Sequence, residues 1–237
     1  MSKIVKKCNL CKRKVSSILY KLISKRGIAM KKIIIASLPS DDRLEKRLYP
    51  VDGNATIQVD VPVYFAVNSA MANNLQKDDD VKVILVGTTR VDDCVHKNAQ
   101  KFMEELQEFN KVGATIRPAV ITRPFDESKT NFHELYEALL DQLEEDAELY
   151  VDVTFGPKTP VLLIFSVLQF AEKFFHCSIG NIVYSKVIFK KGSSEVIPGS
   201  EMIYDITPLY MLNSITNTIE CSSSEKAVKA VKVLFED

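Results

Sequence analysis

Apolar runs rich in β-branched residues alternate with helical segments along most of this chain, and this order restricts the fold more than any other feature. Four such runs are each followed by a helical segment, and a pair of strands closes the series. Because parallel strands need a crossover between them, the order predicts an α/β fold: a Rossmann-like, doubly wound, mainly parallel sheet flanked by helices, with a terminal antiparallel strand pair. The predicted strands are 32–37, 81–86, 115–122 and 149–154, and the closing pair is 182–189 with 202–206.

The helical segments carry apolar residues at the spacing of an amphipathic helix. The predicted helices are 62–75, from Asp92 or Asp93 to about 110, from Thr130 or Asn131 to 143, 160–175, and a short one at 208–219. Residues 43–61 show neither the apolar runs of the strands nor the helical spacing, and we expect them to be irregular.

Ligands of doubly wound sheets bind beyond the carboxyl ends of the strands. Four predicted strand ends carry polar groups, and we expect them to converge on one crevice. These ends are 37–41, 88–90, 122–123 and 154–159. In the first of them, Ser37 and Ser40 would either contact a ligand or only form the turn.

The stretch 150–160, Tyr-Val-Asp-Val-Thr-Phe-Gly-Pro-Lys-Thr-Pro, passes from a buried strand through a Gly-Pro break into an apolar helix. The amides at the start of that helix, the Lys158 ammonium group and the hydroxyls of Thr154 and Thr159 would point to one spot, which suits a phosphate or another anion. A lysine is disfavoured at the positive end of a helix dipole, so Lys158 is better explained by a bound anion than as a solvated side chain. Thr159 is also expected to cap the helix.

Composition argues against several classes of function. Lysine and arginine together number 31, as do aspartate and glutamate, so the chain lacks the basic surplus of a duplex-DNA binder but is compatible with a local anion pocket. No apolar run approaches the roughly 20 residues that a membrane span needs. The five cysteines are odd in number and mostly far apart, which predicts a reducing, cytoplasmic environment.

The common nucleotide and metal motifs are missing from the sequence. The first strand leads into Ser-Leu-Pro-Ser instead of Gly-x-Gly-x-x-Gly, and Gly-x-x-x-x-Gly-Lys-Ser/Thr does not occur, so neither a Rossmann dehydrogenase nor a P-loop NTPase is indicated. The histidines, His96, His133 and His176, lack metal-ligand spacing. Arg90 and His96 match the spacing of an RNA-nuclease pair, but at a strand-to-helix turn, where we interpret the match as chance. The sequence therefore predicts neither a metal nor a cofactor.

Residues 1–29 carry nine basic side chains and no acidic one. The alternatives are a signal peptide, a zinc site at Cys8 and Cys11, and a basic amphipathic helix; Lys21 interrupts the apolar region of the first, and the second lacks another ligand pair. We expect instead a dispensable leader, either not native or disordered, with Met30 as the biological start. The predicted organisation is a leader at 1–29, a domain at 30–219 and a tail at 220–237.

Residues 152–162, Asp-Val-Thr-Phe-Gly-Pro-Lys-Thr-Pro-Val-Leu, resemble the central motif of the CRISPR-associated Rossmann-fold (CARF) family. The family pattern runs Asp-Ile/Val-Thr-x-Gly-x-Arg/Lys-Ser/Thr-x-Pro before an apolar helix; here the proline comes one position early, and Pro157 replaces a more usual aromatic or small residue. The matching residues are Asp152, Thr154, Gly156, Lys158 and Thr159. With weaker matches in the flanking strands, the resemblance extends over about 30–212.

The resemblance implies a symmetric homodimer that binds a cyclic oligoadenylate across its two-fold axis. This ligand, a cyclic tetra- or hexaadenylate, is the second messenger of type III CRISPR antiviral defence. The implied ligand-binding residues are Ser37, Pro39, Ser40, Asp41, Thr88, Thr89, Arg90, Thr154, Phe155, Gly156, Pro157, Lys158 and Thr159. The helix N-termini and two copies of Lys158 would face the ring, which carries one negative charge per phosphate.

Three interpretations of the function remain open. The chain is a sensor that only binds the ring and acts through a fused or separate effector, or a stand-alone ring nuclease, or an unrelated Rossmann-like domain for another phosphorylated ligand. In the ring nuclease, a 2′-hydroxyl of the ring would attack the adjacent phosphate without a metal, and Lys158 with Ser37 or Thr159 would stabilise the developing charge. Neither a membrane nor duplex DNA is an expected partner.

Overall fold

The computed structural model describes residues 30–41, 44–89, 94–124, 126–218 and 220–233. The strands are β1 Lys31–Ser37, β2 Val51–Asp52, β3 Asp80–Thr89, β4 Thr115–Pro124, β5 Glu148–Asp152, β6 Ser178–Lys186 and β7 Met202–Asp205. They form one sheet in the order β2-β7-β6-β5-β1-β3-β4. Every neighbouring pair is parallel except β6 and β7, which are antiparallel. The predicted sheet with its terminal antiparallel pair is confirmed.

Helices cover both faces of the sheet. They are α1 Ala66–Asn74, α2 Cys94–Phe109, α3 Lys129–Leu140, α4 Lys158–Phe174, α5 Thr207–Thr218 and α6 Ser224–Val233, with a 3₁₀ turn at Ala55–Ile57. The side chains of β1 alternate between two cores: Ile34 and Ala36 pack with residues of α1 and α2, whereas Ile33 and Ile35 pack with residues of α3 and α4. A strand covered on both faces is apolar on both, which is why 33–36 of the first strand form a continuous apolar run.

The strand order reverses at β1. On one side of β1 the sheet continues with β3 and β4, and on the other side with β5, β6 and β7. The register of β1 and β5 places Ala36 level with Asp152. The carboxyl ends of these two strands therefore form a topological switch point, which is where ligands bind in sheets of this kind.

Four helices begin at residues other than those predicted. Two of the shifts are small: α3 begins at Lys129, with Ser128 as its N-cap, instead of Thr130 or Asn131, and α5 begins at Thr207 instead of 208. The helix predicted at 62–75 is shortened to α1, because Val63 is extended and exchanges two backbone hydrogen bonds with Arg47, at 3.0 and 2.8 Å. The helix predicted to start at Pro160 begins at Lys158. Pro160 therefore lies in the first turn of α4. Proline is tolerated in the first turn because the amides of that turn have no acceptor within the helix.

The flanking segments also differ from the prediction in part. The irregular stretch at 43–61 supplies β2, which adds to the edge of the sheet beside β7. β6 begins at Ser178 and ends at Lys186, and beyond it an isolated bridge joins Phe189 to Val196. The tail contains α6, whereas the expected leader lies outside the described residues. None of the helices that the structure describes is long and apolar enough to cross a membrane.

Two buried carboxyl groups hold the N-terminus of α1. Its N-cap residue is Phe65, whose side chain cannot accept a hydrogen bond. Instead, Glu105 of α2 accepts from the backbone amides of Tyr64 and Phe65, at 2.7 and 3.1 Å, and Asp152 at the end of β5 accepts from the amide of Val67 at 3.2 Å. Glu105 and Asp152 thus accept the hydrogen bonds that a local capping side chain would otherwise accept at this helix start. Because they belong to α2 and β5, they also tie α1 to α2 and to the sheet.

Glu105→Gln is expected to destabilise the fold. The glutamine amide would place a donor among three donors, the amides of Tyr64 and Phe65 and the Asn68 side chain, which bonds Glu105 at 3.0 Å. We expect a loss of about 1–3 kcal/mol in the free energy of unfolding. Urea denaturation measures it, with Glu104→Gln, an exposed neighbour on the same helix, as the control. Equal stability of the two variants would contradict this role of Glu105.

The same residue is expected to give the fold a pH dependence. Burial raises the pKa of Glu105 above its ordinary value, so the folded protein holds this proton more tightly than the unfolded chain. The resulting stability is fully present below the ordinary glutamate pKa and is lost as pH rises through the raised value. The stability of the wild type relative to Glu105→Gln should therefore fall as pH rises through that window. Urea titrations at a series of pH values test this, and a constant difference would contradict it.

Candidate functional site

The switch-point crevice is formed by the turns that follow β1 and β5 and by the start of α4. Ser37 is the last residue of β1, and Gly156 lies in the turn before α4. A Cβ atom added at Gly156 would stand 3.5 Å from the Cβ of Ser37 and 3.9 Å from its Oγ, so the two turns pack closely. Ser37 is 3% exposed, and its buried hydroxyl has no hydrogen-bond partner among the described residues. A buried hydroxyl without a protein partner is available to bond a water molecule or a ligand.

The turn from β5 into α4 leaves the helix start without a side-chain cap. Gly156 has φ +87°, a left-handed conformation that other residues adopt only with strain. Pro157, with φ −63° and ψ 158°, is the N-cap residue and provides no capping hydrogen bond. Lys158 is exposed and forms no ion pair with any residue that the structure describes. The first amides of α4 and this lysine are therefore accessible to an anion.

Asp152 and Thr154 hold the turn in place. Asp152 is fully buried and accepts hydrogen bonds from the backbone amides of Thr154, at 2.9 Å, and of Val67. Burial raises the pKa of Asp152 above its ordinary value, while these hydrogen bonds act in the opposite direction. The Thr154 hydroxyl accepts from the amide of Ser185 in β6 at 2.8 Å. Both side chains thus face the protein, and neither was predicted to have this role.

Phe155 is turned towards the core. Its ring packs at a right angle against that of Phe65, with the centroids 5.8 Å apart. Together with the core on the α1 and α2 face, it anchors the turn between Asp152 and Gly156. If Phe155 binds a ligand, as predicted, it does so through atoms that do not pack against Phe65.

The turn after β1 is held by a residue that the sequence analysis did not identify. Asn98 of α2 is 0% exposed, and its Nδ2 donates to the backbone carbonyls of Pro39, at 3.0 Å, and Asp41, at 2.8 Å. Pro39 is buried, whereas Ser40 and Asp41 are half-buried at the surface of the crevice. The sequence does contain a signal for this role: Asn98 is a polar residue on the apolar stripe of α2, between Val95 and Phe102.

Two more of the predicted site residues, Thr88 and Thr159, line a small cavity that Pro157 also borders. This cavity has a volume of about 20 Å³, room for about one water molecule, and is lined by Thr88, Arg123, Glu127 and Thr159 among others. The Thr159 hydroxyl donates to Glu127 Oε1 at 2.7 Å. The prediction that Thr159 caps α4 is therefore wrong, because Pro157 is the N-cap and Glu127 engages the threonine. Arg90 lies outside the described residues, as does the side chain of Thr89.

The crevice thus combines an uncapped helix start, an exposed lysine and an unpartnered buried hydroxyl, a set of donors suited to an oxyanion. No group of three or more histidine, cysteine, aspartate or glutamate residues in the described part of the chain is arranged to hold a metal ion. Comparison with models of known protein families and with curated proteins finds no match to this chain.

Asn98→Asp is expected to loosen the turn after β1. An aspartate at this position would direct carboxylate oxygens at the two carbonyls of Pro39 and Asp41 that Asn98 now binds. We expect a loss of about 1–3 kcal/mol in stability and faster hydrogen exchange at the amides of 38–41. Hydrogen exchange measured by mass spectrometry tests this, with Lys97→Asp, an exposed neighbour, as the control. Unchanged exchange in 38–41 would show that Asn98 does not hold the turn.

Proposed function

We propose that this chain binds a cyclic oligoadenylate at the crevice between β1 and β5, as the sensor of an effector in type III CRISPR signalling. Each copy of a homodimer would contribute one crevice to a single ring, and the effector is fused to the chain or separate from it. The observation that carries the proposal is the hydroxyl of Ser37, which is buried without a partner at the switch point and lies against Gly156.

The charges around the crevice support an anionic ligand. Lys158 and the first amides of α4 lie on the side of Gly156 that leads into the helix, and Pro157 leaves those amides without a side-chain acceptor. A cyclic tetra- or hexaadenylate carries one negative charge per phosphate, and it would meet two such helix starts and two copies of Lys158.

The ligand class comes from the sequence resemblance of 152–162 to the CARF motif. The family pattern precedes an apolar helix, and the local structure is compatible with it: β5 ends at Asp152, the chain turns through Gly156, and α4 starts at Lys158. The acid of the motif, Asp152, supports the turn through the amide of Thr154, and Lys158 at the start of α4 is exposed.

One contact favours sensing over ring cleavage. A ring nuclease would use Ser37 or Thr159 to help Lys158 stabilise the charge that develops on the phosphate. The Thr159 hydroxyl, however, donates to the carboxylate of Glu127, which places an acidic group beside it. A carboxylate at this position opposes the accumulation of negative charge.

Lys158→Ala is expected to weaken the binding of the ring strongly. Loss of a charge-assisted contact in each half of the site should raise the Kd by about ten-fold or more. Isothermal titration with cyclic tetra- and hexaadenylate measures the Kd, and Lys173→Ala is the matched control, because Lys173 is an exposed lysine in the last turn of the same helix. Ser37→Ala should also weaken binding, since it removes the buried donor.

The ring recovered after incubation identifies the function. An intact ring bound to the wild type supports the sensor. Linear products with a 2′,3′-cyclic phosphate, absent in Lys158→Ala, would replace the sensor with a ring nuclease. If the protein binds neither ring, or if the Lys158 and Lys173 variants bind equally, the proposal is wrong.

A further inference from the structure

The last described helix, α6, leaves part of its apolar face uncovered. Ala227, Val228 and Val231 stand at the i, i+1 and i+4 spacing that forms one stripe on a helix; Ala227 and Val231 are half-buried, and none of the residues of α6 is fully buried. Val228 is 54% exposed. An amphipathic helix of ten residues is marginal on its own in water, so its apolar face indicates a binding partner.

A groove of about 450 Å³ between α3 and α4 is lined mainly by apolar and aromatic side chains. Phe132 and Tyr136 line it from α3, and Leu162 and Leu163 line it from α4. At 66% exposure, Leu162 is the most exposed large apolar side chain of the described residues. No residue of α6 lines the groove, so the chain's own last helix does not fill it.

The charges beside these two surfaces are opposite in sign. On α3, Glu137 follows the groove residue His133 by one turn, and Asp141 continues the same row just beyond the helix. Both acids are exposed and form no ion pair with a described residue. On α6, the exposed lysines Lys229 and Lys232 also form none. Complementary charges of this kind select and orient a partner.

We propose that α6 of one copy of this chain lies in the α3–α4 groove of a second copy, and that the exchange is reciprocal. Val228 and Val231 would enter the groove against Leu162, in the way that amphipathic helices bind apolar grooves through residues spaced one turn apart. The lysines of α6 would face the acidic end of α3. Because the same pair of surfaces is used twice, the contact closes on itself as a two-fold dimer.

This dimer does not depend on the proposed ligand. Leu162 and Val228 are not residues of the crevice, and the assembly forms in the absence of any ring. Failure of ring binding and failure of the helix exchange are therefore separate outcomes.

Sedimentation of the full chain over a range of concentrations tests the exchange. We expect a dimer for the wild type, and at least a roughly ten-fold rise in the dimer Kd for Leu162→Glu and for Val228→Glu. Leu48→Glu, at an apolar residue that is 56% exposed on another part of the surface, is the matched control and should remain dimeric. A wild type that stays monomeric, or a Val228→Glu protein that dimerises normally, would overturn the proposal.

A mixture of the two defective variants separates helix exchange from a groove-to-groove contact. The Leu162→Glu copy retains an intact α6, and the Val228→Glu copy retains an intact groove. Their mixed dimer has one intact helix-groove pair, so mixing should restore part of the dimer that each variant lacks. A charge reversal provides a second test. Lys229→Glu should weaken the dimer, and the double variant Lys229→Glu with Glu137→Lys should restore it. No recovery in either experiment would overturn the exchange.

Discussion

The geometry of the crevice depends on the buried carboxyl group of Asp152. This residue ends β5 level with Ala36 of β1, and one of its oxygens accepts from the amide of Thr154 while the other accepts from the amide of Val67. A buried carboxyl group is costly unless its hydrogen bonds are made, so both donors must be in place when the protein is folded. The turn after β5 and the start of α1 are consequently fixed by the same group.

From this anchor the rest of the crevice follows. The Thr154 hydroxyl is held by the Ser185 amide, which ties the turn to β6. The chain then reaches α4 through the left-handed conformation of Gly156, which packs closely against Ser37. On the opposite wall, Asn98 fixes the carbonyls of the turn after β1. The walls that a ligand would meet are therefore supported from beneath by buried polar contacts.

The sequence predicts the sheet well, but it does not predict the buried polar contacts that hold the site in place. The reason is physical. Burial on both faces makes the middle of each central strand apolar, so β1, β3 and β5 are visible as local runs. Asn98 and Glu105 act on residues about 60 and 40 positions away, and no local pattern records such contacts. The same holds for the extended segment at Val63, whose partner is Arg47 across an irregular stretch.

The error at Thr159 has a different origin. The rule that threonine caps a helix is sound on average, but Pro157 already occupies the N-cap position with a fixed φ of −63°. Thr159 is thereby moved into the first turn, where its hydroxyl meets Glu127. Local rules place the turn between β5 and α4 correctly and still assign the wrong task to Thr159, because the partner of its hydroxyl, Glu127, lies in a separate loop.

The two helix starts linked by Asp152 differ in what they offer an anion. The amides at the start of α1 are already taken by Asp152 and Glu105, whose carboxyl groups would repel a phosphate there. At α4 the first amides have no side-chain acceptor, and Lys158 stands beside them. Glu127 closes the far side of that helix start through Thr159. Of the two helix starts, only that of α4 therefore combines amides without a side-chain acceptor with an exposed lysine.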